Sequence, residues 1–297
     1  MFNMTGKIGV GIITCDRLGY LKQCFESIPL DRIDRLVIVN DGKILTSEDL
    51  SFIPGYPDKL DKISVTQHSV NTGVGISKNH ALQALMLGDF EHIFLFEDDM
   101  IVKDPNIFDI YIKASQVSGI KHFNYGPGSP FNRKQDPGQR IDMDTRHLLK
   151  QDSLPNPRLI VDYRNNVRIA LYEHTVAMFT YFHRSVLETV GLHDEQFYNA
   201  WEHVDLTYRI AKAGFHPPFW WFADVVDSDK IMIEAPGAID NSSIAGKKDE
   251  WYKNVYGGRE KYFAKHGHYP NQPPIYSEDQ VIRILKQLAP VVEKKLS

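Results

Sequence analysis

Three consecutive acids, Glu97, Asp98 and Asp99, close an otherwise oily run, HIFLFEDDM, at residues 92–100. Carboxylates at the mouth of a buried segment need a partner, because an unpaired buried charge is costly. Either the strand has simply reached solvent there or the acids hold a cation, and hard oxygen ligands of this kind suit Mg²⁺ or Mn²⁺. A second group stands far along the chain, where Trp201, Glu202 and His203 open a helical pattern. A carboxylate beside an imidazole offers two candidate general bases, and the choice between them stays open. Asp205 reads as a residue that ties the local structure together. Trp201 could offer a flat face to a ligand or lie buried beneath a loop.

Other polar residues follow oily runs in the same way. Thr14, Asp16 and Arg17 lie in TCDR, Asp41 in NDG, and Asn71, Gly73 and Lys78 in NTGVGISK. Each has a bland reading beside the functional one. Asp41 can cap its own turn, Arg17 can make a surface pair, Lys78 can be a solvated helix lysine, and Glu202 can be an acid favoured by a helix first turn. No CxxC or HExxH spacing offers another metal site. His216, Asp224, Asp227, Asp229, His266 and His268 are open candidates for a further metal ligand.

The elements that must position these residues follow from pattern. Lys7–Thr14, Arg35–Val39, Lys62–Gln67 and Glu91–Phe96 read as buried strands. Leu18–Ile28 and Ile76–Met86 carry helical spacing between them. Apolar strands alternating with helices indicate a mostly parallel α/β sheet covered on both faces. Ligands of such sheets bind beyond the carboxyl ends of the strands, which is where Asp16, Asp41, Asn71 and Asp99 fall. Phe108–Val117 reads as a further helix. Residues 124–158, rich in proline and glycine, read as a long excursion over the active face. Asn166–Tyr172 and Thr175–Phe182 are expected as strands of a smaller, partly antiparallel sheet. Helices are expected at Arg184–Val190, at 201–213 and, amphipathic, around Val281–Leu288.

At 297 residues with a net charge of -4, the chain can bury a large core and gives no general reason to expect a polyanion. Arg133, Lys134, Arg140 and Arg146 are interleaved with acids, so nucleic acid is not the expected partner. Cys15 and Cys24 fit buried thiols of a reducing compartment. With no basic leader and no apolar run of about 20 residues, a cytoplasmic protein is expected, with peripheral membrane attachment left open.

Five of these segments together resemble the GT-A nucleotide-sugar glycosyltransferases of the family-two-like group. VGIITCDRLGYLKQCFESI resembles the opening strand, loop and helix; VIVNDG the second strand and its acid; NTGVGISKNHAL the following loop and helix; FLFEDDM the acidic metal motif. AMFTYFHRSVLETVGLHDEQFYNAWEHVDLTYRIAKAGF resembles the segment leading into the catalytic helix. The resemblance covers roughly residues 7 to 222, with gaps. It implies a GT-A (Rossmann-like) three-layer fold, with a donor half at 1–117, an acceptor and catalytic half at 118–240, and a tail at 241–297. It further implies a Mn²⁺ or Mg²⁺ ion on Asp99, and a nucleoside-diphosphate sugar, UDP-linked for preference, held by Glu97, Asp98, Asp41 and the neighbouring loops. The transfer is expected to be inverting, of a hexosyl or N-acetylhexosaminyl group, to a glycan or glycoconjugate hydroxyl. One departure matters: relatives carry Glu-Asp where this chain has Glu202-His203. Three other readings remain: a nucleotidyltransferase, poorly matched by ITCDRLGYL; a non-catalytic nucleotide-sugar-binding module; and a transferase acting on a nucleic-acid base.

Overall fold

The structure, a computed structural model of the chain, describes residues 6–58, 62–135, 153–238, 248–272 and 275–296. The chain opens with β1 (Lys7–Thr14), α1 (Leu18–Ser27), β2 (Arg35–Asn40), β3 (Ile63–Gln67), α2 (Val74–Met86) and β4 (Phe90–Glu97). Then come β5 (Met100–Val102), α3 (Ile107–Ser118), β6 (His122–Asn124), β7 (Leu159–Tyr163), β8 (Val167–Tyr172) and β9 (Phe179–His183). The remainder is α4 (Arg184–Val190), α5 (Glu202–Lys212), β10 (Phe222–Val225), α6 (Ser228–Ile231), β11 (Met232–Glu234), α7 (Lys248–His266), α8 (Glu278–Leu288) and β12 (Val291–Leu296).

The expected α/β architecture is the one observed. A main sheet has the order β3-β2-β1-β4-β9-β6, with the first four strands parallel and β9 antiparallel to both β4 and β6. A smaller antiparallel sheet has the order β10-β8-β7-β12, and β5 pairs with β11 in a short ribbon.

Alternating side chains feed two cores. Val10, Ile12, Phe94 and Phe96 pack with α1 and α3 on one face. Ile13, Val37, Val39, Ile93 and Leu95 pack with α2, α4 and α5 on the other. Burial on both faces is why these strands read as unbroken apolar runs rather than alternating ones. Gly11 sets how closely α2 lies on the sheet: a Cβ there would come within 3.0 Å of the Ala81 Cβ. The close seat brings the N-terminus of α2 to the carboxyl edge of β1 and β4.

One expectation is corrected, and two segments carry structure beyond what was expected. The strand expected at Thr175–Phe182 begins at Phe179 and belongs to the main sheet, between β4 and β6, not to the smaller one. Phe179 and Tyr181 face one core and Phe182 the other, so this strand needs cover on both sides. The stretch treated as a tail contains α7 and an added strand, β12, beside the expected α8. The apolar positions of α7 are scattered around its circumference, which hid it from a periodicity argument. The excursion starts with two short 3₁₀ turns, Gly126–Gly128 and Pro130–Asn132. Much of its remainder, including Arg140 and Arg146, lies outside the described residues. No helix among the described residues is long and apolar enough to cross a membrane.

Candidate active site

The acid cluster occupies the turn between β4 and β5, and backbone bonds fix it from three sides. Glu97 N–H donates to the Met178 carbonyl (2.7 Å), Asp98 N–H to Ile13 (3.0 Å), and Ala235 N–H to the Asp99 carbonyl (2.6 Å). The Asp98 carboxylate is fully buried, accepting from the Thr14 hydroxyl (2.6 Å) and from both Nε and Nη2 of Arg17. Arg17 Nη2 also reaches Asp99 Oδ2 at 3.0 Å. Burial pushes the Asp98 carboxyl up to about 7 against the opposing Arg17 charge. Asp99 is likewise raised, by burial and then by the Glu97 charge. Its second oxygen, Oδ1, is buried without a hydrogen-bond partner among the described residues.

That orphaned oxygen is the structural test of the expected metal, because a buried carboxylate oxygen left unpaired costs free energy. The donor set fits Mn²⁺ or Mg²⁺ in a particular way. Among the described residues no group of three or more His, Cys, Asp or Glu side chains converges as a metal cage. A site of one or two carboxylates that leaves the rest of the shell to substrate phosphates and water is a common arrangement for Mg²⁺.

Five of the six open candidates for a further ligand, all but Asp229, are engaged elsewhere. His216 is buried between Pro217 and the Ala223 N–H. Asp224 accepts from Tyr111, Ser228 and Gly126. Asp227 pairs with Lys230. His266 binds Asp205 and His268 binds Tyr208. Glu234, which no motif signalled, stands beside the acid turn because β11 pairs it with Met100.

Asp41 follows β2, and its carboxylate closes the loop before α2. Oδ1 accepts from Thr72 N–H (2.8 Å) and the Thr72 hydroxyl (2.7 Å) and meets His68 Nδ1 at 2.6 Å; Oδ2 accepts from Gly73 N–H at 2.8 Å. The NDG turn is held by others: Asn40 Oδ1 accepts from Gly42 N–H and Asp16 Oδ1 from Lys43 N–H. Gly73 has φ of 95°, and a Cβ there would sit 2.5 Å from the Tyr198 carbonyl oxygen. Only glycine fits both constraints. Asn71 is oriented by the Tyr198 hydroxyl, which donates to its Oδ1 (2.5 Å), and by Cys15, whose sulfur accepts from its Nδ2.

Lys78 is not a solvated helix lysine. It is buried, donating to Glu97 Oε1 (2.8 Å), Glu202 Oε1 (3.2 Å) and the Ala177 carbonyl (3.4 Å). One ammonium thus joins the acid turn to the start of α5. Asn79, the next residue, grips the His193 backbone and the Glu195 side chain, anchoring the loop that leads into α5. Trp201 caps that helix in the left-handed region (φ 74°), and its indole N–H donates to the Val255 carbonyl of α7. Glu202 is 3% exposed, and its Oε1 also meets His203 Nδ1 at 3.1 Å. Burial works against its charge, yet Lys78 and then His203 hold it well below the usual carboxylate range.

These groups line one cavity of about 530 Å³. Thr14, Arg17, Asp41, Asn71, Gly73, Glu97, Asp98, Asp99, Glu202 and His203 form its walls, whereas Asp16 is outside and Lys78 lies behind. The far wall is aromatic: Phe131, His174, Trp220 and Phe222, with Trp201 and Trp251. The Trp220 indole N–H is spent on the Pro270 carbonyl. Sequence reasoning missed Glu234, Phe131, His174 and Trp220 as site residues, since they come from segments without periodicity or motif, and it did not single out Tyr198 within the segment leading into α5.

No family model matches the sequence, and neither does any curated protein. Among solved structures, the chain is similar to Staphylococcus aureus TarS 1–349 (TM-score 0.47, 15% identity, covering 96% of this chain and 81% of that one). It is also similar to the mannosyltransferase PcManGT from Pyrobaculum calidifontis in complex with GDP-Man and Mn²⁺ (TM-score 0.43, 10% identity, 69% and 53%). A third similar structure is GalNAc-T7 with UDP, GalNAc and Mn²⁺ (TM-score 0.44, 12% identity, 70% and 41%). The chain spans about half the length of the mannosyltransferase.

Proposed function

We propose that the cavity transfers a hexosyl or N-acetylhexosaminyl group from a nucleoside-diphosphate sugar to a glycan or glycoconjugate hydroxyl, with inversion at the anomeric carbon. The observation that carries this reading is the joining, in one cavity, of an orphaned Asp99 oxygen and a Glu202–His203 pair. The donor's diphosphate belongs at the acid turn and the mobile sugar between that turn and α5. A divalent ion on Asp99, with Asp98 beside it, would neutralise the leaving diphosphate as a Lewis acid. The base sits beyond Cys15, Asn71 and Tyr198, at the carboxyl edge of β1 and β2. A uracil-type base is the favoured occupant.

His203 is the better base of the pair. Glu202 is charge-stabilised by Lys78, which weakens it as a proton acceptor at neutral pH. With its Nδ1–H donated to Glu202, a neutral His203 presents Nε2 as an acceptor. In the reaction the acceptor oxygen attacks the anomeric carbon from the side opposite the diphosphate. Its proton passes to His203 Nε2 as the bond to the leaving phosphate oxygen breaks. Glu202 orients the ring and stabilises the imidazolium that forms, as a carboxylate does in a catalytic triad. A single base and a direct displacement suit inversion. The aromatic wall gives flat faces for the apolar side of a pyranose ring, which supports a sugar acceptor over a nucleic-acid base.

The test is thermal stabilisation by UDP, GDP and their sugar conjugates with Mn²⁺, repeated with chelator and with Asp99→Ala. Stabilisation by one nucleotide sugar, lost in both controls, is the expected result. A folded protein that answers to none of these ligands would sink the transferase reading and leave a module without chemistry.

A further inference from the structure

Arg17 is the one lysine or arginine in the cavity wall among the described residues, where it faces six acids: Asp41, Glu97, Asp98, Asp99, Glu202 and Glu234. Its guanidinium is committed to two of them. Nε and Nη2 bind Asp98, and Nη2 bridges to Asp99 Oδ2 at 3.0 Å, with the side chain only 13% exposed. The Tyr20 ring flanks it, 5.6 Å from the guanidinium carbon. A diphosphate entering alone meets a wall rich in carboxylates whose cation is already taken. A divalent ion entering alone finds Asp98 and one Asp99 oxygen already paired with Arg17, and of these two carboxylates Asp99 Oδ1 is the oxygen left without a hydrogen bond among the described residues.

We propose that Arg17 is a resident counter-cation that is exchanged when the site is loaded. The ion takes over Asp99 and Asp98, and the released guanidinium turns to the diphosphate, for which its planar fork is well suited. Metal and nucleotide therefore bind as a coupled pair, each raising the affinity of the other by the same factor. Arg17 also keeps the two buried acids from carrying unpaired charge while the site is empty, the state that would cost most. This inference rests on the donor site proposed above.

The exchange is tested by Mn²⁺ binding itself, followed by electron paramagnetic resonance of the free ion, with and without UDP or GDP. Arg17→Met is expected to bind Mn²⁺ alone about tenfold or more tighter than the parent, because the resident competitor is gone. The same variant is expected to lose most of the roughly 5- to 150-fold mutual enhancement between ion and nucleotide. Arg17→Lys, which keeps the charge but not the fork, serves if the first variant does not fold. It is expected to shift both quantities in the same directions by a smaller factor. Unchanged or weaker Mn²⁺ binding in the folded variants, with the parent still binding Mn²⁺ and nucleotide together, would overturn the exchange and leave the donor site standing. A parent that binds no nucleotide with Mn²⁺ would overturn both.

Discussion

The two walls of the cavity are built on opposite physical plans. On the acid-turn side, charge is matched by charge: Arg17 on Asp98 and Asp99, Lys78 on Glu97 and Glu202, Asp41 on a ring of donors. All of it hangs on strand ends and on the first turns of α2 and α5, so small displacements are resisted by the main sheet. On the aromatic side, rings from three separate segments lean together, Phe131, His174 and the Trp220–Phe222 pair, and His174 sits 4.7 Å from Phe131 and 5.7 Å from Trp220 between ring centroids. The difference teaches where each kind of selectivity belongs. A diphosphate and an ion need fixed, preorganised charge, whereas a sugar face needs area and tolerates variation in detail.

Substitutions on the two walls should therefore fail differently. Asp99→Ala should lower metal-dependent transfer by about 10³-fold or more, the worth of a Lewis acid at several kcal/mol. It should also abolish stabilisation by Mn²⁺ with nucleotide sugar in a melting assay. His203→Ala should slow transfer by about 10² to 10⁴-fold while leaving donor affinity near the parent value. An equal loss of donor binding would place His203 on the acid-turn wall and break the division.

Lys78→Met should cost about 3–5 kcal/mol of stability, since Glu202 would stay buried without its ammonium partner and keep only the His203 ring. Urea unfolding reads this directly, and adding Glu202→Gln should restore part of the loss. The same pair has a pH signature. The Glu202 carboxyl is depressed in the folded protein, so its contribution is fully present above its ordinary value of 4.5 and is lost as the pH falls below that toward the folded value. Glu202→Gln should flatten this acid-side decline in stability, measured by unfolding at a series of pH values.

Trp220→Ala should have the smallest effect. It should raise the acceptor KM by about 5- to 30-fold, the worth of about 1–2 kcal/mol of lost ring contact, with the donor KM unchanged in initial-rate measurements. A donor effect as large as the acceptor effect would show that the two walls are not separate.

The sequence by itself determined most of the acid-turn wall. Each of its residues follows an apolar strand whose length and order are legible, and the right-handed βαβ connections leave one edge where those ends can meet. Glu97, Asp98, Asp99, Asp41 and Gly73 were all found that way, and all line the cavity, as does the Glu202–His203 pair, which was found at the start of a helix instead. Tertiary structure decided what these residues hold. Lys78 looks like any helix lysine until the close seat of α2 on Gly11 turns it under Glu97 and Glu202. Arg17 has no visible partner until β1 and β4 lie side by side. Glu234 reaches the acid turn only because a three-residue ribbon pairs β11 with β5. The aromatic wall was illegible for the same reason: its members are separated by tens of residues, and ring contacts of that range leave no period in the chain. Local patterns report which face a residue turns to the core, whereas partners across the core are chosen by packing.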